Sequence, residues 1–102
     1  MVERISPQQF RASNGVEDWR LIANGAQACF ATGSFARGAQ LVDAIGRLAD
    51  AANHHPDVDL RYSSVTVALS THEIGDISDR DVVLAQQISA AARDLGIAAD
   101  PS

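Results

Sequence analysis

After Ser63-Ser64 the chain alternates strictly, with Val65, Val67 and Leu69 interleaving Thr66, Ala68 and Ser70. Successive side chains on a strand point to opposite faces, so this pattern predicts a strand with one face buried and one face wet. A sheet assembled from such strands is antiparallel and covered on one side only. The remainder of the chain supplies matching parts. Trp19 to Ala23 and Ala26 to Thr32 flank Asn24-Gly25, a dipeptide suited to the positive φ angles of a tight hairpin turn. From Ser34 the apolar period lengthens from two to about 3.6, which places Phe35, Val42, Ile45, Leu48, Ala49 and Ala52 on one face of a helix ending near Asn53.

Pro56 disfavours helical geometry at His55, so the chain must turn there into an extended segment, with Asp59 to Tyr62 as the expected third strand. At the start, Ser6-Pro7-Gln8-Gln9 reads as a capped short helix anchored by Phe10 and interrupted by Asn14-Gly15. At the other end, Ser78 and Asp81 form a second capping box, and Val82, Leu84, Ala85, Ile88, Ala91, Ala92 and Leu95 carry a helix toward Gly96. The tail through Pro101-Ser102 reads as frayed. There is no alternating βα pattern and no internal repeat. The expected fold is α+β: a four-stranded antiparallel sheet with three helices packed on one face, as a single domain over residues 1–102.

Composition narrows the function. A chain of 102 residues with 46% hydrophobic and 21% charged side chains is globular and large enough to fold without staples. Its formal charge of −5 and the lack of any Lys or Arg cluster argue against direct nucleic-acid binding. No apolar run approaches the roughly 20 residues that cross a bilayer, and Met1-Val2-Glu3-Arg4-Ile5 has no signal-peptide core, so the reading expects a cytosolic protein with no membrane partner. Cys29 cannot form an internal disulfide and reads as a small buried hydrophobe.

All three histidines fall at element boundaries, where sites are usually built. His54 and His55 close the main helix, whose carbonyl end favours an imidazolium, and His72 lies at the exit of the fourth strand. If the second hairpin folds back past the helix end, histidines on two sides of a substrate can donate and accept protons near neutral pH. Bland readings fit the same residues. Adjacent histidines suit a polar helix terminus, His72 suits a hydrogen-bonded strand end, and Asp81 suits its cap. A zinc site is disfavoured because no familiar ligand spacing occurs, and neighbouring side chains diverge by about 100° on a helix or about 180° on a strand. No phosphate loop, Gly-x-Ser-x-Gly elbow or Cys–His arrangement is present, so no metal, cofactor or covalent step is expected.

Asp50, His54-His55-Pro56, Tyr62, His72 and Asp81, with the phrases Asn53-His54-His55-Pro56-Asp57 and Leu69-Ser70-Thr71-His72-Glu73, resemble the pterin-4a-carbinolamine dehydratase family. The resemblance runs from about Trp19 to about Ala92. It departs from the family in an abbreviated first helix and in Val58, where many relatives carry an aromatic. It implies dehydration of a 4a-hydroxytetrahydropterin to quinonoid dihydropterin and water, without cofactor. By carry-over, His54 and His72 transfer protons, His55 positions the pterin, and Asp50, Asn53, Pro56 and Asp81 bind or orient. The resemblance further implies homodimers or homotetramers and a pathway link to an aromatic amino acid hydroxylase, through recycling of its pterin. Two other readings stay open: a non-catalytic dimerisation or assembly module of the same fold, and a dehydratase acting on another pterin.

Overall fold

The computed structural model describes residues 2–100. Its elements run α1 (Pro7–Ala12), β1 (Arg20–Ile22), β2 (Gly25–Ala31), α2 (Phe35–Ala52), β3 (Asp57–Leu60), β4 (Ser64–Leu69), α3 (Asp79–Asp94) and β5 (Ala98–Ala99). The strands form one antiparallel sheet in the order β1-β2-β4-β3, and β5 pairs with the second half of β2 beyond the end of β1. Among the described residues, no helix is long and apolar enough to cross a membrane.

Parity along the two central strands decides which face is covered. Ala26, Ala28 and Phe30 of β2 and Val65, Val67 and Leu69 of β4 are buried, and they join one core with Phe10 of α1, Leu41 and Ile45 of α2 and Leu84, Ala85 and Ile88 of α3. All three helices therefore contribute to the same side of the sheet, as the alternation demands. Trp19 closes one end of this core, edge-on to Phe30 at 6.3 Å between ring centroids, and its indole N–H donates to Ser89 Oγ at 3.0 Å. That bond satisfies a donor which burial would otherwise orphan.

The helix boundaries match the sequence reading closely. Ser6 and Gln9 form the expected capping box, Ser34 caps α2, and Ser78 with Asp81 caps α3. Six details differ. The first hairpin pairs Ile22 with Gly25, so its loop is Ala23-Asn24; positive φ falls on Asn24 alone, and Gly25 enters the strand. The third strand spans Asp57–Leu60 rather than Asp59 to Tyr62, because Arg61 N–H donates to the Ser64 carbonyl at 2.8 Å and turns the chain early. Tyr62 is left 79% exposed in that turn. The buried stripe of α2 is Gly38, Leu41, Ile45 and Ala49, while Phe35 and Ala52 at its two ends are exposed.

Cys29 is only half-buried, since it has the outward parity of β2 between Ala28 and Phe30. Finally, the chain does not stop at α3. Gly96 takes φ 71° and redirects it, Ile97 buries itself in the core, and β5 adds a fifth strand that the two-residue length hid from periodicity. Pro101 and Ser102, read as a frayed tail, lie outside the described residues.

Two glycines give opposite expectations for the same substitution. A Cβ at Gly25 would sit 2.4 Å from the Leu69 carbonyl oxygen, a backbone atom that can move only with β4. Gly46 lies exposed within α2 with nothing within 4 Å of such a Cβ. Gly25→Ala should therefore destabilise by roughly 1–3 kcal/mol, and Gly46→Ala should stabilise by roughly 0.5–1 kcal/mol through lost freedom in the unfolded chain. Urea denaturation of the two variants checks both signs.

Candidate active site

The site is built where α2 ends, β4 exits and α3 begins. Helix α2 terminates at Asn53, which takes the left-handed conformation (φ 50°, ψ 44°) that asparagine tolerates better than most residues. The reversal is secured by the His54 N–H, which donates to the Ala49 carbonyl at 3.1 Å. It sends successive histidines in different directions. His54 turns inward and is 8% exposed, whereas His55 stays on the surface and pairs with Asp50 one turn back, Nε2 to Oδ1 at 2.9 Å. Pro56, half-buried, then leads into β3.

His54 meets α3. Its Nε2 lies 2.6 Å from Oδ1 of Asp81, a carboxylate with no exposed surface. The other oxygen of Asp81 accepts two hydrogen bonds: from the Ser78 backbone N–H at 3.0 Å and from the Thr71 hydroxyl at 2.9 Å. Thr71 Oγ1 is also 2.6 Å from Ser78 Oγ, which accepts from the Arg80 N–H at 3.2 Å. Asp81 is thus both the cap expected of it and the partner of a buried histidine. One carboxylate does both because it has two oxygens and several acceptor sites.

His72 follows Thr71 directly. The loop from Thr71 to Asp76 is closed by Thr71 N–H to the Asp76 carbonyl at 2.8 Å and Gly75 N–H to the Thr71 carbonyl at 2.9 Å, with Gly75 at φ 61°. His72 and Glu73 are exposed on this loop. Two further ties hold it: Arg80 of α3 bonds Glu73 at 3.0 Å, and Arg4 near the chain start bonds Asp76 at 2.8 Å. Among the described residues, no side-chain hydrogen bond or ion pair involves His72.

The expected site residues therefore fall into three groups. His54 and Asp81 are in direct contact, His55 and Asp50 form a separate exposed pair, and His72 is connected to the first group through the backbone of Thr71 and the Thr71 bond to Asp81. Asn53 and Pro56 shape the chain reversal between the two histidines. Sequence reasoning missed Thr71 and Ser78 as members of the network. The signal for Thr71 is parity: it continues the inward series Val65, Val67, Leu69, and a hydroxyl on that face must find a partner.

His54 lines an open cleft of about 290 Å³ together with Ala52, Asp79, Arg80, Val83 and Leu84. Apolar walls with a few polar groups suit a flat heterocycle. A larger depression of about 520 Å³ beside Arg4, Gln9 and Asp79 contains no histidine. Chemically, the site offers an imidazole held by a buried carboxylate, the standard way to orient a ring for proton transfer. No group of three or more potential metal ligands occurs among the described residues.

Fold and site together define a small α+β domain with a carboxylate-held histidine at a helix end. The chain belongs to the pterin 4 alpha carbinolamine dehydratase family, whose model matches residues 3–91. A relative from Nocardia farcinica, provisionally named a pterin-4-alpha-carbinolamine dehydratase, is 37% identical over 92 residues, covering 89% of this chain and 97% of its own. Another of the same provisional name, from Aquifex aeolicus, is 33% identical over 96 residues, covering 93% and 97%.

Two solved structures share the fold. A transcriptional coactivator/pterin dehydratase from Brucella melitensis superposes with a TM-score of 0.78 at 22% identity, over 88% of this chain and 99% of the other. A pterin dehydratase-like RuBisCO assembly factor of the alpha-carboxysome gives 0.60 at 21% identity, over 72% and 86%.

The two histidine–aspartate pairs differ sharply in what their removal does. Asp81→Ala leaves a buried imidazole, a hydroxyl and a backbone N–H short of a partner, and breaking a buried pair in this way destabilises by roughly 3–5 kcal/mol. Asp50→Ala disrupts an exposed pair and should shift the melting temperature little. Thermal denaturation followed by circular dichroism compares them directly.

Proposed function

We propose that this protein is a 4a-hydroxytetrahydropterin dehydratase acting by histidine acid–base catalysis. The observation that carries the reading is His54, buried against Asp81 beside an open cleft in a chain of this family. In the reaction the lone pair of a ring nitrogen forms a C=N bond to C4a while the C4a–O bond breaks. An acid gives its proton to the leaving oxygen, which departs as water, and a base takes the proton from the ring nitrogen. The product is the quinonoid dihydropterin, and exchange with solvent resets both groups.

His54 and His72 are the two proton-transfer groups in this proposal, one on each of the segments that Thr71 and Asp81 join. His55, with Asp50 behind it, is assigned to positioning the pterin, and the Asn53 to Pro56 reversal to setting the angle between the histidines. Asp81 orients His54. The proposal extends to recycling of the pterin used by an aromatic amino acid hydroxylase in the cytoplasm, and to homodimers or homotetramers. For assembly, the supporting feature is the outer edge of β3, where Val58 is 37% exposed and no neighbouring strand lies beyond it among the described residues.

Stopped-flow absorbance of enzymatically generated carbinolamine tests the assignment. His54→Gln, whose side-chain amide can still donate to Asp81, and His72→Ala should each lower kcat by roughly 10²–10⁴-fold with the far-ultraviolet spectrum retained. Wild-type rates in both variants would remove the catalytic roles. A folded wild-type protein that does not accelerate the reaction at all would favour the non-catalytic assembly reading instead.

A further inference from the structure

The hydroxyls of Thr71 and Ser78 have no part in the chemistry proposed above, yet both are completely buried and both touch the group that holds His54. We propose that Thr71 is a positioning residue that sets the tautomer of His54 through a one-way chain of hydrogen bonds. The inference rests on the dehydratase reading for its kinetic consequence, but its structural content is independent of it.

The direction of the chain follows from counting protons. A hydroxyl has one hydrogen to give and two lone pairs. The Thr71 hydroxyl donates its hydrogen to Asp81 Oδ2, so in its 2.6 Å contact with Ser78 Oγ it can only accept. Ser78 is therefore the donor there, and its own oxygen accepts from the Arg80 backbone N–H. Reading onward, Oδ2 of Asp81 takes two hydrogens, from Thr71 and from the Ser78 N–H, as an acceptor-only carboxylate does. Oδ1 accepts as well, so the hydrogen in the 2.6 Å contact with His54 sits on Nε2. Every link has one orientation, and each bond polarises the next.

The consequence appears at the far side of the ring. With Nε2 carrying the hydrogen, the neutral imidazole presents a lone pair at Nδ1. Among the described residues, no buried side-chain nitrogen or oxygen lacks a hydrogen-bond partner, and Nδ1 of His54 has none. Nδ1 is therefore not sealed from solvent, and it belongs to a ring that lines the cleft. The free nitrogen is a proton acceptor in the neutral state and a donor once charged, as an acid–base group must be. Without Thr71, Asp81 keeps only Ser78 N–H on Oδ2, the Ser78 hydroxyl loses its acceptor, and the carboxylate is free to rotate. Oδ1 is then no longer held against Nε2 of His54, and the ring loses the fixed acceptor that selects its tautomer.

The test uses the full chain labelled with 15N histidine, in alkaline buffer where imidazoles are neutral. Two-bond 15N–1H correlations report the tautomer, and the His54 signals are assigned by their loss in His54→Ala. Wild type and Thr71→Ser should both show the Nε2–H form. Thr71→Val should show both tautomers, with kcat lowered roughly 10- to 100-fold, as for loss of a hydrogen bond to a charged group, and KM within about twofold. Thr71→Ser should restore kcat. An Nδ1–H form in wild type would overturn the proposal, as would a folded Thr71→Val with wild-type tautomer and kcat.

Should Thr71→Val not fold, the wild-type protein still decides: the chain requires a Thr71 hydroxyl proton protected from solvent exchange, and rapid exchange contradicts it. An inactive wild type would end the dehydratase reading while leaving the tautomer result to judge the chain of bonds.

Discussion

A carboxylate with no exposed surface holds three parts of this molecule together. Asp81 is hydrogen-bonded to the end of α2 through His54, and it accepts from the exit of β4 through Thr71 and from the turn before α3 through Ser78. Taking such a charge out of water costs several kcal/mol, and the return from its partners is repaid only when the geometry is good. The arrangement is therefore better understood as fixing position than as adding net stability. Any drift of α2 or of the β4 exit would strand a buried charge, so the histidine and the loop bearing His72 are held in register with α3.

The rest of the fold makes that convergence possible. Alternation on β2 and β4 puts every large apolar side chain on one face, which brings α2 and α3 side by side over the sheet. The left-handed turn at Asn53 then separates two adjacent histidines that a continuing helix would have left on its surface. One enters the interior and the other remains with Asp50 outside. The same sheet parity carries Thr71 inward at the end of β4, in line with Leu69, and leaves His72 outward on the next residue. A single step along the strand thus separates the residue that orients from the residue exposed at the loop.

Much of this was legible in the sequence wherever a period or a cap is long enough to read. The α+β class, the three helices with the caps of the first and last, the two hairpins and the histidine positions all follow from patterns of that kind. The third strand begins two residues before the sequence places it, because Asp57 and Val58 carry no alternation and the closing Arg61-to-Ser64 bond is not a composition signal. β5 is too short to have a period. Cys29, a small hydrophobe with no pairing partner, is expected to be buried, although its parity on β2 already places it opposite Phe30. Within the site, the spacing from Ser78 marks Asp81 as a cap. Its position four residues before Ala85 and seven before Ile88 puts it on the buried stripe of α3, where an acid needs a partner. What no local pattern contains is the identity of that partner, 27 residues away.

A crystal structure of the protein with a bound tetrahydropterin or its quinonoid product decides whether His54 faces the substrate. The heterocycle should lie in the cleft beside α3, with Nδ1 of His54 within hydrogen-bonding distance of the ring and His72 on the opposite side of it. A pterin seated elsewhere, for example on the uncovered face of the sheet, or one with His54 turned away from it, would rule out His54 as a proton-transfer group.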